Sequence, residues 1–528
     1  MQTPIPELPA VALAAPHRDA VEAARTIIEQ GGNAVDAAVA AAVALTVVYP
    51  HMCSAGGDLI AIVRGADGEV VCVNASGAYG SAVDVDELFA DAGAMPVTGP
   101  LTVSVPGVVS GWAAMLERWG TLTLPQILAP AIRLARDGMV ISTGLAAALV
   151  EDEAALTADP GIRSLFYPDG RPASAGAVVV QTALADTLDT LGRDGLRSFY
   201  DGPLAGRLVA AFADLGVPIT ESDLQAHAAR LEEPIAADIG ELHISTAGPN
   251  SQGFTLLRAL RALDLLGDGS PERVDAAVLA ELLYSGDALR DAILADPLVV
   301  GVDVASALTP AALAAAAEEA VTASTGGGRP ASVSGPRPGG DTVAVTAVGA
   351  DGLAISLIQS VFHSFGAGIL EPVTGIVLHN RAAFFTLQEG APNRVAAGKR
   401  PAHTLTPVLL EHADGTIAAH GTMGGKAQSQ IHAQLVLRTL EGARPAAAVA
   451  APRFVVGGLD QGSATDYVYR EADLDPKAVA QLDRGALRIV VGSVADSSVG
   501  HSMIARRDAN GRLSAGADPR SDGGVLPG

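Results

Sequence analysis

GGDTVAVTAVGADGLAISLIQSVFHSFGAG, residues Gly339 to Gly368, carries two short runs of alternating character, TVAVTAV and LAISLIQS, joined by the turn sequence GADG (Gly349 to Gly352). Period-two alternation across a Gly/Asp turn reads as a β-hairpin. The segment before it, GGGRPASVSGPRPGG (Gly326 to Gly340), has no apolar periodicity and reads as an exposed linker that stops at Asp341-Thr342.

A flexible loop that delivers a threonine to the first position of a buried hairpin allows a specific chemistry. The Thr342 hydroxyl can attack the Asp341 carbonyl and form an ester. Water then cuts that ester, and a new chain begins at Thr342. Its α-amino group, with a pKa of about 8, can act as base for the neighbouring hydroxyl. On local pattern alone the Asp-Thr pair reads as an ordinary strand start; the wider chain changes that reading.

Several further motifs follow in order: AAPHRDAVEAARTIIEQGGNAVDAAVAAAVAL (Ala14 to Leu45), SVPGVVSGW (Ser104 to Trp112), GDT at the proposed cut, GTMGG (Gly421 to Gly425) and GADPRSDG (Gly516 to Gly523). In these the chain resembles the γ-glutamyltranspeptidase family of N-terminal-nucleophile (Ntn) hydrolases over nearly its whole length. The resemblance implies an α+β fold, a four-layer αββα sandwich with a largely helical flank. It also implies a proenzyme cleaved into a large chain, residues 1–341 with a pre-cleavage linker at 326–341, and a small chain, residues 342–528. Thr342 is then the nucleophile and Asp341-Thr342 the cleaved pair. Ser360 is the hydroxyl partner on the opposite strand, and Gly424 and Gly425 supply the backbone amides of the oxyanion hole. Glycine suits that last task because no Cβ obstructs the substrate. Outside the family context, Ser360 reads as a strand serine and the glycine pair as a turn before a helix.

Composition narrows the setting. The chain has 528 residues, 49% of them hydrophobic, enough for a large core. Its formal charge of −24 disfavours nucleic acid and anionic membrane as partners. No run of about 18 strongly apolar residues suggests a membrane span; Asn33 to Pro50 comes nearest but is mostly alanine and contains Asp36. The N-terminus has no secretory pattern, and Cys53 and Cys72 read as reduced core residues, so a cytoplasmic location is expected. No CxxC, HExxH or phosphate-loop pattern is present, and neither metal nor cofactor is expected. The expected partners are a small-molecule substrate and the two chains of one precursor; assembly of such αβ units into homo-oligomers stays open.

In chain order, helices are expected at Arg18–Gln30 and from Asn33 to about Val48, then strands at Gly56–Arg64 and Glu69–Ser76. Helices follow Pro106-Gly107 and cover about Leu124 to Asp137. The region from Ser142 to Pro310 reads as largely helical with one strand, Glu241–Thr246. After the hairpin come TGIVLHN, a strand pair around Asp414-Gly415, a helix from Gln428, and strands in YVYRE, LRIVVGSV, HSMIARR and LSAG.

The departures from the family pattern carry the functional information. A γ-glutamyl enzyme clamps the α-carboxylate with arginine and hydroxyls, and the α-ammonium with acid and amide side chains. Here the arginine position is Ala78 and the asparagine position Phe362. The glutamine and aspartate positions are Arg381 and Phe384, and the serine pair is His403-Thr404. Phenylalanine cannot hold an ammonium by charge, and losing both ends of the clamp costs several kcal/mol of recognition. The replacement pocket would contain Phe362, His363, Arg381, Phe384, His403 and Thr404. Arg381 reads as a carboxylate ligand or a structural ion pair; His363 and His403 read as hydrogen-bond donors to a carbonyl or anion, or as packed histidines.

SLIQSVFHSFGAG, GIVLHNR and KRPAHTLTP look most like the non-glutamyl branch of the family. That branch includes oxamate amidohydrolases, cephalosporin-acylase-like proteins and oxalyl-removing C–C hydrolases of alkylproline pathways. The resemblance implies an acyl-enzyme route on a small amide or acyl bond, with an oxalyl or α-keto acid among the candidates. Two other readings stay open: a glutathione hydrolase or transpeptidase with a rearranged clamp, and an uncleaved, inactive homologue used for binding or scaffolding. The lost clamp predicts that a γ-glutamyl anilide is barely turned over; ready, saturable release that disappears in Thr342→Ala would refute the non-glutamyl reading.

Overall fold

The computed structural model describes residues 10–267, 274–325, 341–457 and 466–527. The expected linker lies outside the described residues except for Asp341, which opens the hairpin strand. That hairpin, Asp341–Gly349 and Ala354–Phe362, lies in the middle of a seven-stranded sheet. The strand order is Gly524–Pro527, Val11–Ala15, Asp341–Gly349, Ala354–Phe362, Asp58–Arg64, Val70–Asn74, Arg230–Glu232, antiparallel throughout. A second antiparallel sheet runs Leu513–Ala517, Ser502–Arg507, Ile417–Thr422, Val408–His412, Leu242–Thr246, Ile235–Ile239.

Side-chain parity shows how the layers stack. Along the first hairpin strand, Val343, Val345 and Ala347 join the core beneath the helices, while Ala344 and Val348 join the core between the sheets. The helices Arg18–Glu29, Ala34–Val48, Val108–Trp119 and Leu124–Asp137 share the outer core of the first sheet. Gly253–Leu266, Ala276–Ile293 and Pro310–Ala323 cover the second. The result is an α+β sandwich of four layers, helix–sheet–sheet–helix, as expected.

Helix Ala34–Val48 is buried along its whole length, and its alanines let it lie close to the sheet. Asn33 and Asp36 form a capping box at its start. Gln359, on the helix-facing side of the hairpin, donates to the Ala42 carbonyl at 2.8 Å and accepts from Trp112 Nε1 at 3.1 Å. One buried amide thus ties the hairpin to two helices. On the opposite face Gly421 permits close approach of the second sheet: a Cβ there would lie 2.7 Å from Ala344 Cβ.

Several elements differ from expectation. Val11–Ala15 is a strand between the hairpin and Gly524–Pro527, and Ile235–Ile239 is an edge strand. Both are alanine-rich. The first is buried on both faces and so shows no alternation; the second alternates only weakly, and alanine there resembles helical sequence. TGIVLHN contributes only Ile376–Val377, paired with Leu370–Glu371. Tyr467–Arg470 and Arg488–Val491 form a small separate sheet with Phe454–Val456.

GADPRSDG supplies a buried ionic network. Asp518 accepts from Arg453 Nη2, from Arg520 Nη1 at 2.8 Å and from the Ser502 amide at 3.0 Å; Arg520 Nη2 reaches Glu471 at 2.6 Å. These residues join the second sheet to the small one. Removing one partner leaves a charge buried without its ion, so Arg453→Met should cost about 3–5 kcal/mol of stability. Chemical denaturation checks this; a loss under about 1 kcal/mol would contradict the structural role given to the network.

Candidate active site

Thr342 has the same parity as Ala344, so its side chain faces the space between the sheets; it is 2% exposed. The next strand places Ser360 beside it, and the strand after that pairs Ser360 with Asp58. Thr342, Ser360 and Asp58 therefore form a row across three adjacent strands on one face. The register shifts between Gln359 and Phe362, a bulge whose last residue, Phe362, has φ 81°. A bulge that re-aims side chains is common beside active sites.

The hydrogen bonds of Ser360 can be assigned atom by atom. Its Oγ lies 2.8 Å from the Asp341 carbonyl, 3.0 Å from Thr342 Oγ1 and 2.8 Å from the Phe362 amide nitrogen. A hydroxyl has one proton and two lone pairs. The proton goes to the carbonyl, which can only accept. The Phe362 N–H takes one lone pair and Thr342 Oγ1–H takes the other. Thr342 thus donates its proton toward Ser360 and keeps its own lone pairs, while the Asp341 carbonyl is polarised by the same serine. This arrangement favours attack of the threonine oxygen on the preceding carbonyl.

Asp58 is fully buried. Its Oδ2 accepts from His403 Nε2 at 2.7 Å and Arg381 Nε at 3.1 Å, and His379 Nδ1 lies 3.6 Å away. Burial pushes the carboxyl upward, but His403 and Arg381 override it and hold Asp58 well below the usual carboxylate range. His403 is driven down to about 4, by burial first and then by Arg381. It is therefore a neutral ring at pH 7. Its Nδ1 accepts from the Leu405 amide at 3.2 Å, so the proton sits on Nε2, facing Asp58. Burial also lowers Arg381, opposed by Asp58; the guanidinium stays charged.

Around this ion cluster the other expected pocket residues assemble. Arg381 lies 4.1 Å over the Phe362 ring and donates to Thr404 Oγ1 at 3.4 Å. Phe384 meets Phe362 edge-on at 5.6 Å, and the His363 ring stacks on Phe362 at 4.1 Å. Asn380 holds His363 by its amide and ring nitrogens, at 3.0 and 2.9 Å. Gly424 and Gly425, with φ of 139° and 53°, follow the strand Ile417–Thr422 and open the short helical turn Gly425–Ala427. The Gln252 side-chain amide donates to the carbonyls of Thr404 at 3.0 Å and Gly425 at 3.2 Å, so the glycine turn and the pocket loop share one anchor. Arg290, bound to Asp287, fixes that amide through Gln252 Oε1 at 3.2 Å. Lys426 Nζ, next in the chain, lies 5.5 Å from the Phe384 ring centre.

Asp58, Gln252, His379, Asn380 and Lys426 were not singled out from the sequence. Asp58 alone gave a local signal: a lone acid heading the otherwise apolar run LIAIV must be paired if it is buried. Among the described residues no group of His, Cys, Asp or Glu is arranged to hold a metal ion, and no helix is long and apolar enough to cross a membrane.

The chain is similar to known proteins along nearly its whole length. Residues 20–528 match the family model for gamma-glutamyltranspeptidase. The oxamate amidohydrolase proenzyme of Klebsiella pneumoniae is 37% identical over 520 residues, 96% of this chain and 97% of that one. A glutathione hydrolase-like proenzyme of Bacillus subtilis is 34% identical over 521 residues, 97% of both chains. Cephalosporin acylase from Bacillus halodurans superposes with a TM-score of 0.85 at 29% identity, covering 100% of this chain and 98% of that one. With its sandwich fold and a match along nearly its whole length, the chain belongs to the γ-glutamyltranspeptidase family of Ntn-hydrolases.

Proposed function

We propose that this chain is an autoprocessing N-terminal-threonine hydrolase that cleaves a small, non-γ-glutamyl amide through an acyl-enzyme. The observation that carries the reading is the placement of Ser360 Oγ, 3.0 Å from Thr342 Oγ1 and 2.8 Å from the Asp341 carbonyl. In processing, Thr342 Oγ bonds to the Asp341 carbonyl carbon, and the Asp341–Thr342 C–N bond breaks. The hydroxyl proton ends on the freed amine. Water hydrolyses the resulting ester, giving a large chain ending in the Asp341 carboxylate and a small chain, 342–528, beginning with a free amine.

In turnover that amine takes the Thr342 hydroxyl proton as Oγ attacks the substrate carbonyl, and then gives it to the leaving amine. Water releases the acid and restores the threonine. The amides of Gly424 and Gly425 receive the oxyanion. Arg381 binds a carboxylate on the acyl group, with Phe362, His363, Phe384, His403 and Thr404 forming the wall. An oxalyl or other α-keto acid amide fits this inventory, and the similarity to an oxamate amidohydrolase supports it. The similarity to a glutathione hydrolase-like protein favours a second reading, hydrolysis of a γ-glutamyl amide. Against it, Phe362 and Phe384 offer no anion for an α-ammonium, and the charge of the nearby Asp58 is already matched by Arg381 at 3.1 Å.

The mature protein is expected to release ammonia from oxamate, with the activity lost in Thr342→Ala. Because the base is an α-amine with an ordinary pKa of about 8, kcat/KM should rise with pH to that point and then level off. A rate that falls over that range would contradict an amine base. Ser360→Ala removes the donor to the processed carbonyl, and loss of one such donor costs about 10²–10³ in rate. The appearance of the small chain on denaturing gels should slow by that factor; cleavage at the wild-type rate would overturn the role given to Ser360.

A further inference from the structure

Among the groups the reaction above does not use, Asp58 stands out. A fully buried carboxylate is expensive unless closely paired, and nothing in the threonine chemistry requires one. Yet it lies in the same cross-strand row as Thr342 and Ser360. It meets Arg381 through Nε alone. Nη1 of that arginine points to Thr404, its plane covers Phe362, and Nη2 is buried without a partner among the described residues. The Nε contact to Asp58 fixes the guanidinium plane and leaves the Nη2 edge uncommitted. His403, neutral and with its Nε2 proton directed at Asp58, braces the carboxylate from the other side.

We propose that Asp58 is a positioning residue that sets acyl specificity, orienting Arg381 so that Nη2 takes the carboxylate of a half-amide of a short dicarboxylic acid. This rests on the hydrolase reading above. Thr342 and Asp58 sit two strands apart with Ser360 between them, so a carboxylate held on Arg381 and a carbonyl offered to Thr342 belong to one small molecule. Asp58 does not touch the reacting atoms; it acts through Arg381.

The test compares the mature wild type with Asp58→Asn, Arg381→Met and the double variant, on oxamate and on its neutral analogue oxamide. For Asp58→Asn, kcat/KM on oxamate should fall more than tenfold, chiefly through KM, while oxamide changes less than threefold. The double variant should be no worse on oxamate than Arg381→Met alone. Equal losses on both amides, unchanged oxamate kinetics, or losses that multiply in the double variant would overturn the proposal. If Asp58→Asn does not mature, Asp58→Glu carries the test. Moving the carboxylate by one methylene should shift the oxamate-to-oxamide preference at least threefold, and an unmoved preference sinks the idea. A matured wild type that ignores both amides overturns the hydrolase reading itself, and this inference with it, whereas failure confined to the variants touches only Asp58.

Discussion

The hydroxyl of Ser360 has a single proton, and the arrangement around Thr342 depends on where it goes. Because the Asp341 carbonyl receives it, the threonine hydroxyl is left to donate rather than accept. The Phe362 amide, turned inward by the bulge, occupies the remaining lone pair and fixes the serine rotamer. A regular strand pairing without the bulge would not bring that amide onto the serine. The polarity of the junction is thus a consequence of one irregularity in an otherwise regular hairpin.

The hairpin can hold this geometry because it is gripped on both faces. Gln359 binds it to two helices on one side, and Gly421 lets the second sheet lie close on the other. Parity then does the placing. Residues two apart share a face, and residues opposite one another share a row, so Thr342, Ser360 and Asp58 meet although they come from three separate strands. The ionic cluster built on Asp58 reaches the loops carrying Arg381 and His403, and the Gln252 amide carries the connection on to the glycine turn. Thr342, the side chains around Phe362 and the Gly424-Gly425 turn are mechanically one unit.

Much of this was legible in the sequence, for identifiable reasons. The hairpin announces itself by period and turn, and family motifs in the sequence point to Thr342, Ser360 and Gly424-Gly425. The substitutions at Phe362, Arg381, Phe384 and His403 could be read as a rewritten pocket, and the structure brings those side chains together. Asp58 showed only as an acid heading an apolar run; its place beside Ser360 was out of reach because sequence does not give strand order. Gln252 acts through two loop carbonyls and Arg290 through the Gln252 side chain, and no residue pattern encodes either contact. Val11–Ala15 escaped because a strand buried on both faces loses its alternation, and alanine is a poor marker of strand.

The account is tested most directly by intact-mass analysis of fully active protein. It predicts two chains, the smaller beginning with a free amine at Thr342 and the larger ending at Asp341. Full activity from a preparation containing only the continuous 528-residue chain would contradict it.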